Sequence, residues 1–303
     1  MFPNVLPCHP PLRTFKHAVH HKDFAVSAEI YLRPETDAES IREQAAILKD
    51  SVDGILLTDN QYGQLHMCTI AAAAILLQCG VDPIVQLTSR NRNRIALLSD
   101  LLGAAALGVS SLMLVAGERA PKEFRPRPKP VLDLSATDLI KTAATVNADE
   151  ALRKSPDFLI GGVATPVPPG PNWKPKKLLE KIEAGAQFIQ THLCMNEALL
   201  EQYLRHLVRE KLIQRTSVIT AVAVLGSAED ARWLNENRPN VNIPDRLVER
   251  LEAASDPEEE GVRIAAELIR AYREIPGVSG VNIMAARDLT VIPRVVQAAG
   301  LGD

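Results

Sequence analysis

The chain has 303 residues, 46% of them hydrophobic and 23% charged, with a formal charge of −3 and a pI near 6.2. This balance is that of a soluble protein with a large core, and it offers no basic footprint for nucleic acid. No apolar run reaches the ~18 residues of a membrane span, and residues 1–23 lack the apolar stretch of a secretory signal.

Short β-branched runs alternate with helical patterns along the whole chain. The first 22 or so residues read as an extension; they carry His17, His20 and His21 with no carboxylate or cysteine at ligand spacing, so no metal site is expected there. Strands are predicted at 24–31, 53–58, 83–88, 109–115, 157–164, 187–193, 218–225 and 278–284. Capping-box spacing marks helix starts at Thr36/Glu39, Ser135/Asp138 and Ser227/Asp230. Apolar residues at three- and four-residue spacing predict helices over 196–213 and 257–273. A proline- and charge-rich loop spans 119–134, and 235–257 reads as a helical insertion before the last strand–helix unit. The four cysteines, Cys8, Cys68, Cys79 and Cys194, lie far apart without C-x-x-C, which predicts reduced thiols and a cytoplasmic location.

Strand–helix alternation of this kind builds parallel strands with right-handed crossovers. Eight units, with no G-x-G-x-x-G after the first strand, favour a closed (β/α)8 barrel over an open doubly wound sheet. The expected organisation is an extension at 1–22 and one barrel over 23–303.

A barrel of this type carries its chemistry at the C-terminal ends of its strands. Those ends present Glu29; Thr58 and Asp59; Gln86 and Thr88; Gly117 and Glu118; Ala164 and Thr165; Thr191 and His192; and Arg287. Alternation in 24–31 places Phe24, Val26, Ala28 and Ile30 on one face and Ser27 and Glu29 on the other, pointing Glu29 into the barrel. A carboxyl there must be paired, hydrated or protonated, and a raised pKa suits a general acid near neutral pH. A surface ion pair is the plainer alternative. A lone histidine such as His192 is as readily a core residue as a ligand contact. Arg90, Arg92 and Arg94 crowd a helix N-terminus, where positive charge opposes the macrodipole unless an anion joins it; a phosphate-bearing ligand is expected, with a solvated helix start as the plainer alternative.

Several stretches, in order, resemble the methylenetetrahydrofolate reductase family: "SAEIYLRP", "LLTDNQYG", "PIVQLTSRNRNRIALLSDLLGAAALGV", "LVAGE", "IGGVATPVPP", "KKLLEKIEAGAQFIQTHL" and "VNIMAAR". The resemblance runs from about Phe24 to about Arg287, and it is to the short, single-domain, FAD-dependent form. It implies a barrel holding FAD at its mouth, with Thr58, Gln86, Arg90, Ala116, Gly117, Glu118, Ala164, Thr165 and Lys181 as cofactor contacts. It further implies Glu29 as the general acid, with Glu29, Glu118, His192 and Arg287 toward a tetrahydrofolate derivative. The arginines or Lys181 would face the pyrophosphate. Where the family usually has Asp, His, Gln, Cys and, in some members, Arg, this chain has Glu118, Gln86, His192, Ser89 and Ala116.

The activity so implied is interconversion of 5,10-methylene- and 5-methyltetrahydrofolate in one-carbon metabolism, in either direction, with NAD(P)H as redox partner. The alternatives are a folate-binding methyltransferase barrel without flavin, or a catalytically weak subunit that needs a partner. Assembly into a homo-oligomer is left open by the sequence.

Overall fold

The computed structural model of the chain describes residues 14–238 and 240–301. Eight parallel strands, β1 (Ala25–Ile30), β2 (Gly54–Leu57), β3 (Pro83–Thr88), β4 (Ser111–Val115), β5 (Leu159–Ala164), β6 (Phe188–Thr191), β7 (Ser217–Val224) and β8 (Val278–Ala285), close in sequence order into a barrel. Closure is made by β1 against β8, with Ser27 opposite Asn282. The helices around it are α1 (Phe15–His21), α2 (Ala38–Leu48), α3 (Thr69–Gln78), α4 (Arg94–Leu107), α5 (Ala136–Asn147), α6 (Lys176–Glu183), α7 (Glu197–Arg209), α8 (Ala228–Asn237), α9 (Asp245–Ala253), α10 (Pro257–Arg273) and α11 (Val291–Ala298). The expected (β/α)8 barrel is therefore the observed fold. The helical insertion is α9, which packs on α8 and α10.

Two apolar layers follow from strand alternation. Val26, Ala28, Ile30, Val281 and Ile283 face outward and join the large core under the helices. Ala25, Leu56, Ile84, Met113, Leu159, Phe188 and Ile219 face inward and fill the lower barrel, together with Phe15 and Ala18 of α1. Residues 14–22, expected in an extension, thus seat α1 against the barrel floor. Phe15 meets Phe188 edge to face, ring centroids 5.4 Å apart. Glycine is required at 161, where an added Cβ would lie 2.1 Å from the Phe188 ring. Residues 1–13, including Cys8, lie outside the described residues.

One predicted helix start shifts. Asp37, not Thr36, caps α2, with Ser40 completing the reciprocal box. Thr36 instead accepts from the Arg33 N–H, which starts a tight turn one residue earlier. Ser135 and Asp138 form the predicted box. Ser227 caps α8 through the Asp230 N–H, but the Asp230 carboxylate turns away to Arg287.

The floor also carries a buried acid. Asp82 is 2% exposed and accepts from the Phe15 N–H and the Ser110 hydroxyl. Burial pushes its pKa up to about 7, partly countered by these two donors. An unfolded Asp ionises near ~4. Stability is therefore lost as pH rises from about 4 through 7, because the folded chain must ionise Asp82 in a buried place. Asp82→Asn is expected to gain on the wild type as pH rises, with urea midpoints at pH 5 and pH 8 as the check. An equal difference at both pH values would contradict this.

Candidate active site

Ala25, Ser27 and Glu29 occupy alternate inward positions on β1, and Glu29 is the one at the mouth. It is 8% exposed and, among the described residues, has no ion-pair partner. Its carboxylate accepts from Gln61 Nε2 at 3.4 Å. Burial raises its pKa to about 7, while the carboxamides of Gln61 and Asn282 act in the opposite sense. The ion-pair alternative for Glu29 is thereby set aside.

Glu29 opens into a cavity of about 280 Å3 between the ends of β1, β7 and β8. Tyr31, Tyr62 and Trp233 give it aromatic walls, Leu225 and Met284 add apolar surface, and Arg287 stands at its rim. A cavity of this size with one acid among apolar and aromatic walls suits a flat heterocycle that must be protonated. Gln61 and Tyr62 reach it on the β2–α3 loop, where Asn60 (φ 50°) and Tyr62 (φ 58°) adopt left-handed backbone. Non-glycine residues rarely do so, and such positions gather at binding sites.

Arg238 spans the mouth. Its guanidinium lies 3.5 Å from the Tyr62 ring centroid and 3.8 Å from the Glu118 carboxylate. Glu118 is exposed and tied to this bridge rather than to the cavity.

The arginine run has a different role from the one expected. Arg92 forms a two-pronged ion pair with Asp59, at 2.5 and 3.2 Å, and a third contact with Asp100 at 3.1 Å. Asp59 is fully buried and also accepts from the N–H and hydroxyl of Thr88. The α4 N-terminus receives Asp133, which accepts from the Arg94 N–H at 2.7 Å. The anions that meet Arg92 and the α4 N-terminus are thus the protein's own carboxylates, supplied from 33 and 39 residues away in sequence. This corrects the expectation that the whole run faces a phosphate. Arg92 is the ion-paired member of the run among the described residues: Arg90 engages only its Nε, to Gly117 O, and Arg94 donates only through its backbone N–H.

The remaining expected contacts ring the ends of β2 to β6, beside the cavity and not lining it. Thr58 is buried, its hydroxyl 3.5 Å from Ile30 O. Gln86 makes a single 3.5 Å contact to Asp59 O. Ala116 is exposed; Gly117 is required as glycine, because its φ is 83° and an added Cβ would lie 2.7 Å from the Thr88 side chain. Ala164, Thr165 and His192 are half-buried. Lys181 Nζ donates to Val163 O at 2.5 Å. Burial and then Lys181 hold the His192 pKa below its ordinary value. Arg287 pairs with Asp230. The expected residues therefore fall into two adjoining groups: Glu29 and Arg287 in the cavity, the others along the β2–β6 rim. Gln61, Tyr62, Trp233, Arg238 and Asn282 were not anticipated; only Asn282, a polar residue at an inward strand position, left a readable signal.

The sequence profile of the methylenetetrahydrofolate reductase family matches residues 14–300. No curated protein matches the chain in sequence. Among solved structures, an uncharacterized protein from Clostridium thermocellum that binds two copies of 5-methyl-5,6,7,8-tetrahydrofolic acid is similar in fold. Its TM-score is 0.67 at 15% identity, covering 94% of this chain and 96% of that one. A 2-keto-3-deoxy-6-phospho-gluconate aldolase from Zymomonas mobilis has a TM-score of 0.47 at 10% identity, covering 96% and 98%. With the profile spanning nearly the whole barrel, the chain belongs to the methylenetetrahydrofolate reductase family.

Proposed function

We propose that this protein interconverts 5,10-methylene- and 5-methyltetrahydrofolate, with the folate heterocycle in the Glu29 cavity. The observation that carries this reading is a buried, protonatable Glu29 at the floor of an aromatic-walled cavity. The folate bound by the Clostridium thermocellum protein supports the ligand class. Opening the methylene bridge breaks a carbon–nitrogen bond whose electron pair goes to nitrogen. A neutral aminal expels an amine poorly, so a proton from Glu29 to that nitrogen makes the step feasible and leaves a cationic carbon ready for hydride. Tyr62 and Trp233 flank the ring system, and Arg287 at the rim meets the anionic tail.

FAD belongs to the same proposal, at the β2–β6 rim. Lys181 supports the fit: it is partly buried, has no ion pair among the described residues, and is pulled below the ordinary lysine pKa by burial and Lys177. An anion beside it would remove that cost. Lys181 and Arg90 would hold the pyrophosphate side, and Thr58, Gln86, Ala116, Gly117, Glu118, Ala164 and Thr165 the rest. When bound, FAD supplies the hydride, with NAD(P)H as the source of electrons. His192 is assigned to the boundary between cofactor and folate.

A second reading, folate binding without flavin chemistry, draws on the Arg238 bridge across the mouth and on the self-neutralised Arg92. Absorbance of the purified chain separates the two. A yellow protein, or one that takes up about one FAD per chain on reconstitution, is expected. A colourless protein that binds 5-methyltetrahydrofolate but never FAD fits the second reading. A protein that binds neither overturns both.

A further inference from the structure

Inside the barrel, one polar pair has no use in the scheme above. Ser27 and Asn282 face each other across the β1–β8 seam, and each is 0% exposed. The Ser27 hydroxyl donates to Asn282 Oδ1 at 2.9 Å. That bond fixes the carboxamide: its oxygen is turned to Ser27, so its Nδ2 hydrogens are turned away. Nδ2 has no completed hydrogen bond within the described protein. Glu29 is the next inward residue along β1 after Ser27, so its carboxyl follows the Asn282 carboxamide in the same inward-facing row, and that carboxamide acts against the upward shift of its pKa. A buried donor left without an acceptor is a standing cost, and an aliphatic residue at this place would avoid it.

We propose that Asn282, oriented by Ser27, is a positioning residue for Glu29. Its carboxamide holds the carboxyl toward the cavity and completes its hydrogen bond to the carboxylate that remains once the proton has left. Hydrogen bonds to a charged acceptor are stronger and shorter than neutral ones, so the amide favours proton release over proton retention. The inference rests on Glu29 as the proton donor. Gln61 reaches the same carboxyl from the β2–α3 loop. The other charged or titratable groups on the cavity are Tyr31, Tyr62, Arg33, Arg287, Asp230, Glu258 and Asp288. They are the same in every variant below and cancel in the comparison.

The test is the titration of Glu29 in the full chain, followed by carboxyl 13C chemical shift with labelled glutamate and assigned by its loss in Glu29→Gln. Asn282→Leu is expected to raise the midpoint by about one to two pH units. Ser27→Ala, which frees the carboxamide to rotate, should move it the same way by less, and it serves if Asn282→Leu fails to fold. In turnover, the alkaline fall-off should move by the same amount as the midpoint. In a Glu29→Gln background, Asn282→Leu should add no further loss of turnover. An unmoved midpoint in both variants, or an equal loss with and without Glu29, overturns the proposal. The titration needs no turnover, so a protein inactive on folate would sink the functional reading while the midpoint still decides the role of Asn282.

Discussion

Glu29→Gln is expected to lower turnover of methylenetetrahydrofolate by ~10²–10⁴-fold, the scale for removing a general acid. Glutamine keeps the shape and a hydrogen bond to Gln61 but carries no proton to give. The pH profile adds a direction. Because burial places the Glu29 pKa at about 7, the acid is loaded below neutrality, and reduction should slow as pH rises through that value. In the methyl-oxidising direction the carboxylate must take a proton up, so that rate should rise over the same range. The sign of the slope therefore reports which direction is being measured. The variant should gain stability where it loses activity. A carboxyl whose folded pKa is raised costs stability as pH climbs from about 4 through 7, so Glu29→Gln should unfold at higher urea than the wild type at pH 8. Turnover within a few-fold of wild type would remove Glu29 from the mechanism.

Arg92→Leu carries the largest expected loss of stability. It strips the partner from Asp59, a carboxylate whose side chain is fully buried. Breaking a buried pair by deleting one member costs about 3–5 kcal/mol, which in a domain of this size lowers Tm by roughly 6–12 °C. The double variant Asp59→Asn, Arg92→Leu should lose less than the two single losses added, since the fully buried Asp59 charge goes with its partner and only the part-exposed Asp100 loses Arg92. Thermal unfolding at pH 7 decides it. A cofactor role for Arg92 predicts the reverse pattern, with Tm unmoved and FAD affinity lost.

The strand ends were legible because period-two alternation is a local property. Ser27 and Glu29 had to face inward once Val26, Ala28 and Ile30 faced the helices. The order of eight strand–helix units then dictated a closed parallel barrel, and the mouth residues followed from where each strand stops. The capping of α5 was equally local, because a reciprocal box needs only three residues of separation. Partners distant along the chain were another matter. Asp59 and Arg92 are 33 residues apart, and only the β2–β3 neighbourhood brings the carboxylate to the guanidinium. The sequence shows a run of arginines at a helix start and nothing of the anion that answers them. Arg238 and Glu118 are more distant still, joined across the barrel mouth.

What the sequence by itself determined, then, is the barrel, the inward acid and the family pattern. The tertiary structure decided which side chains share a cavity with that acid, that Arg92 is neutralised from within, and that Ser27 meets Asn282 across the barrel seam. The physical reason is one of range. Strand and helix periodicity is set by neighbours a few residues away, whereas charge pairing and burial depend on which distant strands the closed barrel makes adjacent.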